Sequence, residues 1–246
     1  MLPKLPSNLT ELVEGSMILI DKPLGWTSFD VVNKVKGFVR SQVRIPPNEH
    51  GHPQRFKIGH AGTLDPLASG LLVVCTGKFT KQIEQVQSGV KEYTGTIRFG
   101  QTTPSFDLET EPEGTFPTEQ LNLAFLQATA ATFIGTIWQN PPIYSAKQVN
   151  GKRAYNLARK GIEVDIPQVQ INVETFEINR FENLEAQFTI RCSKGTYIRS
   201  LADSLGKAAG SGAFLSSLRR TESSPFRVEQ SIDIERLLTH LRGLTS

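Results

Sequence analysis

Residues 57–72, Lys-Ile-Gly-His-Ala-Gly-Thr-Leu-Asp-Pro-Leu-Ala-Ser-Gly-Leu-Leu, constrain this chain more than any other stretch. One acid, Asp65, stands among three glycines, Gly59, Gly62 and Gly70, and directly before Pro66. Glycine permits sharp turns and the close approach of another molecule. A residue before proline is pushed out of helical geometry, so Asp65 is expected on a loop. Most glycine-rich loops of this kind are plain turns, and the dipeptide alone would be read as structural. A lone acid on a shaped loop, five residues after His60, is also how a reactive carboxylate can be presented.

The 246 residues suffice for one large domain or two small ones, and a 38% apolar share is adequate for a packed core. The longest plainly apolar run, Leu71 to Cys75, is far too short to span a bilayer. Residues 1–16 are polar, carry two prolines and lack a signal-peptide layout. Together with only two cysteines, this predicts a cytoplasmic protein without a membrane association. Cys75 and Cys192 both fall in apolar runs, which predicts buried thiols rather than a disulfide. Net charge is +3, but its distribution says more. Residues 141–161 hold Lys147, Lys152, Arg153, Arg159 and Lys160 and no acid; residues 191–200 add Arg191, Lys194 and Arg199. Residues 103–120 hold Asp107, Glu109, Glu111, Glu113 and Glu119 and no base. Such segregation predicts one surface for a polyanion and another turned away from it.

Met17 to Ile20 reads as a strand. Thr27-Ser28-Phe29-Asp30 reads as a helix cap, with Asp30 reaching back as Glu does in a capping box. Val31, Val32, Val35, Phe38 and Val39 then recur at helical spacing. Residues 41–56 break the pattern with three prolines and a glycine, and read as an exposed loop insertion. Tyr93, Gly95, Ile97 and Phe99 alternate with polar residues, as a strand does. A helical stretch is expected from Thr118 to about Gly135, and strands are expected around 169–173 and 186–192. Ile198, Leu201, Ala202 and Leu205 make a helical stripe closing near Gly210. Mixed elements without strict βαβ alternation favour an α+β fold. The expected organisation is a polar extension over 1–16, one catalytic domain over 17–230 and a short tail over 231–246.

The run around Asp65 closely resembles the GHxGTLDPxAxG motif of the TruB family of tRNA pseudouridine synthases. Further segments resemble that family in the same order. They are Leu19-Ile20-Asp21-Lys22-Pro23-Leu24-Gly25-Trp26-Thr27-Ser28, then Lys91-Glu92-Tyr93, then Pro141-Pro142-Ile143-Tyr144-Ser145-Ala146-Lys147 with Gly151-Lys152-Arg153-Ala154-Tyr155. Ser193-Lys194-Gly195-Thr196-Tyr197-Ile198-Arg199-Ser200-Leu201 and Leu218-Arg219-Arg220-Thr221 complete the series. The likeness spans roughly residues 17–228. It implies the pseudouridine synthase fold, a central mixed and largely antiparallel sheet flanked by helices and loops. It also implies isomerisation of uridine 55 in the TΨC loop of tRNA, with no cofactor and no metal. The tRNA would bind through its TΨC arm, and a monomer without an obligate protein partner is expected. Many family members continue into a C-terminal RNA-binding domain; this sequence is expected to lack a complete one, which bears on affinity rather than chemistry.

The chemistry fits the residue types. The reaction breaks the bond from ribose C1′ to uracil N1, turns the base and joins C1′ to C5. A carboxylate can serve as nucleophile or base there, and Asp65 could attack C1′, add to C6 or remove the C2′ proton. The resemblance implies that Arg199 enters the pocket, where it is the candidate to hold this carboxylate; a guanidinium can grip both oxygens at once, and the alternative is a phosphate contact or a surface pair. Tyr93 offers a ring for stacking on uracil and a hydroxyl for the C5 proton. Tyr197 and Leu218 would complete the pocket, although Leu218 alone would be read as a core residue. His60 would fill the gap left by the extracted base. Lys147, Lys152 and Arg153 would contact the RNA backbone. Glu49, His50 and His52 could be taken for a metal cluster, but a polar loop is the better reading.

Two other functions compete. One is an RNA-binding protein that helps tRNA fold without using Asp65. The other is an aspartyl phosphotransferase, which usually needs further acids to hold magnesium; Leu64-Asp65-Pro66-Leu67 offers none.

Overall fold

The computed structural model describes residues 4–43, 55–144, 148–149, 152–153 and 166–244. In chain order its elements begin with α1 (Leu9–Glu14), β1 (Met17–Lys22), α2 (Ser28–Gln42), β2 (Ile58–His60) and β3 (Ala68–Thr76). A 3-10 turn (Gly77–Gln82), α3 (Ile83–Ser88), β4 (Lys91–Phe99), α4 (Leu123–Ala131) and β5 (Gly135–Gln139) follow. Then come β6 (Gln148–Val149), β7 (Lys152–Arg153), β8 (Val169–Glu182), β9 (Glu185–Cys192) and α5 (Ile198–Ala208). The chain closes with β10 (Ala213–Ser223), β11 (Phe226–Arg227), β12 (Ile232–Asp233) and α6 (Ile234–Gly243). It divides into two units, one formed by residues 1–91 and 219–246, the other by residues 92–218.

In the first unit β1 lies between β12, parallel to it, and β3, antiparallel to it; β2 also pairs with β3. Successive side chains of a strand point to opposite faces. Ile18, Ile20, Leu72 and Val74 therefore join one core cluster, with Val31, Val35 and Val39 of α2, Leu12 of α1, and Leu237, Leu238 and Leu241 of α6. Leu19, Leu71, Val73 and Cys75 join a second, with Ala61, Phe226 and Val228. A sheet covered on both faces needs strands that are apolar on both, which is why Leu71 to Cys75 reads as an unbroken apolar run.

Helix α2 starts as its cap sequence predicts. The Thr27 hydroxyl accepts from the Asp30 amide at 3.0 Å, and the Asp30 carboxylate accepts from the Thr27 amide at 2.8 Å. It runs to Gln42, and residues 44–54 of the expected insertion lie outside the described residues, with Glu49, His50 and His52 among them.

In the second unit β9 lies between β4 and β8, and β5 pairs with β8. The β5–β8 and β8–β9 pairings are antiparallel. The strands read from alternation at 93–99, 169–173 and 186–192 are all present, and β8 extends well past its predicted end. Phe176 and Phe188 meet edge-on at 6.3 Å inside this core. The helix expected from Thr118 begins instead at Leu123. Asn122 caps it by accepting the Phe125 amide at 3.0 Å, while Thr118 to Leu121 form a turn. The cap sits where an Asn side chain can compete for backbone donors, and the apolar periodicity does not show that point. The mixed, largely antiparallel α+β organisation expected from the sequence is observed.

The chain ends differ from a bare extension and a bare tail. Leu12 near the start and Leu237 and Leu241 near the end are wholly buried. Each lies on a short amphipathic helix whose apolar stripe covers the sheet. Leu237→Ala should therefore cost about 2–5 kcal/mol, the range for an aliphatic core truncation. Chemical denaturation followed by circular dichroism would check this, and a loss below about 0.5 kcal/mol would place α6 outside the core.

Candidate active site

Asp65 is half-buried on the loop between β2 and β3, as its position before Pro66 predicts. That loop is clamped from the segment after β1. The Leu64 amide donates to the Ser28 hydroxyl at 2.8 Å, and the same hydroxyl lies 3.1 Å from the Leu64 carbonyl. The Gly25 amide donates to the Pro66 carbonyl at 2.8 Å, and the Ala68 amide closes a turn onto the Asp65 carbonyl at 3.1 Å. The peptide groups on both sides of Asp65 are thus fixed, which restricts where its carboxylate can point.

Two buried cations lie beneath this arrangement. Lys22 is wholly buried at the end of β1, and its ammonium donates to the carbonyls of Pro23 at 3.0 Å and Trp26 at 2.5 Å. Arg220, 1% exposed on β10, donates from Nε to the Leu71 carbonyl at 2.7 Å and from Nη2 to the Gly62 carbonyl at 3.1 Å. Glycine is required where the strand meets that arginine: Gly70 has φ +102°, and a Cβ there would sit 2.3 Å from the Arg220 carbonyl oxygen. The neighbouring Arg219 grips both oxygens of Asp21, at 3.0 and 2.7 Å.

Burial pulls the Lys22 ammonium down to about 8; the Asp65 carboxylate pulls it up, Arg220 pushes it down and Asp30 pulls it up. His60 is half-buried at the end of β2. Burial, then the Arg220 charge, holds its imidazole below the usual range, against a hydrogen bond with the Gly62 backbone. Its buried Nδ1 has no hydrogen-bond partner among the described residues. Cys75 and Cys192 are buried and not joined in a disulfide, as expected, and burial raises the Cys75 thiol to about 11.

The other sequence-selected residues belong to the second unit. Arg199, 3% exposed in the first turn of α5, lies 3.4 Å from the Asp107 carboxylate. It also donates to the Ser105 carbonyl at 3.2 Å and the Tyr144 carbonyl at 3.0 Å. Asp107 is itself 5% exposed, so this acid belongs to the interior and not to an outward acidic surface. Arg191 is likewise engaged, with Glu92 at 3.2 Å and Glu174 at 3.5 Å. The basic run 191–200 is therefore a poorer polyanion surface than its composition suggests, because two of its three cations have carboxylate partners. Tyr93 is buried on β4, Tyr197 precedes α5 half-buried, and Leu218 is half-buried on β10. Gln139 on β5 fixes the Tyr197 peptide, accepting its amide at 2.8 Å and donating to its carbonyl at 3.0 Å. Lys147 lies outside the described residues. Lys152 and Arg153 form β7, in register with Val149 and Gln148.

Sequence reasoning did not single out Lys22, Ser28, Arg220, Asp107 or Gln139. The first three stand inside the segments that carry the family resemblance, which was the available signal. Asp107 carried the opposite signal, as one acid of an acidic run.

Asp65 raises Lys22, so Asp65→Asn should lower the pH at which Lys22 loses its proton below the native value of about 8. The Cε carbon shift of Lys22 followed by NMR across a pH series reads this directly. An unmoved titration would mean that the Asp65 carboxylate does not act on Lys22.

Residues 51–198 match the TruB family pseudouridylate synthase (N terminal domain). A tRNA pseudouridine synthase B of Flavobacterium johnsoniae is 51% identical over 224 residues, covering 91% of this chain and 95% of that protein. The protein of the same name from Phocaeicola vulgatus is 44% identical over 222 residues, covering 90% of this chain and 91% of its own. Among solved structures, a chain of a Cbf5-Nop10-Gar1 complex superposes with a TM-score of 0.67 at 28% identity, over 97% of this chain and 58% of that one. A chain of an H/ACA RNP bound to a substrate RNA containing 2′-deoxyuridine gives 0.64 at 26%, over 94% and 54%. This chain therefore spans little more than half the length of those two. The ordered motifs, the braced aspartate loop and these matches agree that the chain belongs to the TruB family of pseudouridylate synthases.

Proposed function

We propose that this protein, a pseudouridine synthase and hence an isomerase, converts uridine 55 in the TΨC loop of tRNA to pseudouridine without a cofactor. The observation that carries this reading is Asp65, held on a loop whose flanking peptides are fixed by Ser28 and Gly25. The name shared by the full-length bacterial relatives supports tRNA as the substrate. The rearrangement is balanced within the substrate: the C1′–N1 bond breaks, C1′ joins C5, the C5 proton leaves and N1 gains one. Asp65 supplies the carboxylate, by attack at C1′, addition at C6 or removal of the C2′ proton.

Arg199 is the group assigned to hold that carboxylate, Tyr93 the ring under uracil and the route for the C5 proton, and Tyr197 and Leu218 the pocket walls. Neutral His60 fills the space left by the extracted base. Lys147, Lys152 and Arg153 neutralise phosphates. The protein works as a monomer in the cytoplasm; two buried cysteines not joined in a disulfide are consistent with a reducing compartment.

Asp65→Asn keeps the shape of the side chain and removes its charge. Product from unmodified tRNA transcript should fall by about 10⁴-fold or more, with little loss of tRNA affinity. Site-resolved pseudouridine detection and a binding isotherm on the same preparation check both halves, and normal turnover by folded Asp65→Asn protein would overturn the assignment. Arg199→Lys keeps the charge but not the planar fork, and should slow single turnover on the order of 100-fold at saturating enzyme. A wild-type rate would remove Arg199 from the positioning of Asp65.

A further inference from the structure

Leu24 and Phe29 are each 65% exposed, the most exposed large apolar side chains among the described residues. They bracket the short stretch, Gly25 to Ser28, whose backbone and hydroxyl hold the Asp65 loop. Single exposed apolar residues need no explanation, but the two extremes of the chain falling on either side of one clamp do.

Phe29 also begins a stripe along α2. Positions 29, 33, 36 and 40 recur at three- and four-residue spacing and share one helical face. They hold Phe29, Asn33, Lys36 and Arg40, with no acid among them. The stripe extends about 16 Å from the aromatic to the last cation. Asp30 stands off it, and its carboxylate is occupied by the Thr27 amide and hydroxyl at 2.8 and 2.6 Å. Favourable interaction with the C-terminal end of the helix accounts for Arg40 alone, but not for Lys36 in mid-helix or for the aromatic at the loop end.

We propose that Leu24, Phe29 and the Asn33–Lys36–Arg40 stripe form a subsite for RNA nucleotides adjoining the target uridine. An unstacked base rests on the Phe29 ring and Leu24, and the strand continues along α2 with its phosphates toward Lys36 and Arg40. This rests on the reading of the protein as an RNA-modifying enzyme and specifies where its substrate lies next to the reactive loop. The order of groups fits the ligand. Bases freed from a stack pack on aromatic faces, while phosphates are positioned by cations without regard to sequence. A nucleotide seated there would lie against the segment that fixes Asp65, so binding and orientation of the acid share one support.

The test uses the full chain and unmodified tRNA transcript. Fluorescence anisotropy gives affinity, single-turnover kinetics give the rate, and thermal melting confirms the fold. Combined Leu24→Ala and Phe29→Ala should weaken binding about tenfold with an unchanged melt, and Phe29→Trp should keep native affinity. Lys36→Gln with Arg40→Gln should lower the slope of log affinity against log salt by about two. Native affinity in the double alanine variant overturns the proposal. So does a wild-type dimer, seen by sedimentation, that the same variant converts to monomer without weakening tRNA binding; the face would then belong to a second copy. If wild-type protein made no pseudouridine, the proposed activity would fail while the affinity comparison still decided the subsite. Native turnover with unchanged affinity in the variant would overturn the subsite alone.

Discussion

The Asp65 loop depends on one small contact, the Ser28 hydroxyl set against both the amide and the carbonyl of Leu64. A reactive carboxylate must be reachable, so it cannot be locked by burial. It must also be aimed, so its backbone needs partners that do not cover the side chain. A serine in the first turn of α2 meets both needs, and the capping box next to it fixes that turn. Each such bond is worth only about 0.5–1.5 kcal/mol, but leaving buried peptide groups unpaired costs about 1–3 kcal/mol each. The strength of the clamp lies in that asymmetry.

The same reasoning explains the cations that lie deep in this unit. Lys22 and Arg220 are expensive to bury, and apolar residues of similar volume would often be as stable. Between them, however, they meet the carbonyls of Pro23, Trp26, Gly62 and Leu71. Their charges also oppose one another, which helps to lower Lys22, while Asp65 and Asp30 supply the compensating negative field. The loop is therefore part of an electrostatic unit that includes β1, the start of α2 and the second half of β10.

Elements with a regular period could be read from the sequence. The strands at 17–20, 93–99 and 186–192 and the Thr27 cap follow from spacing and local chemistry, and the structure agrees. Asp65 could be placed on a loop because proline restricts the residue before it. What could not be read depended on contacts between distant residues. Asp107 looks like one of five surface acids until β10 meets its loop, where the Leu215 amide donates to the Phe106 carbonyl at 2.9 Å. Lys22 and Arg220 look like solvated cations for the same reason. The helix at 234–243 reads as a tail in the sequence, because its apolar stripe means little until the sheet it covers is known.

The second unit handles its buried charge differently. Arg199 has a dedicated counter-charge in Asp107 and two backbone carbonyls, so its guanidinium is ordered independently of any substrate. An ion pair this deep is weak evidence for stability, since the desolvation of two charges offsets much of their attraction. What the Asp107 carboxylate and the two carbonyls do supply is a fixed plane for the guanidinium within this unit. Gln139 adds to the argument. By holding the Tyr197 peptide from both sides it sets where α5 begins, and hence the direction in which Arg199, two residues further on, leaves the helix.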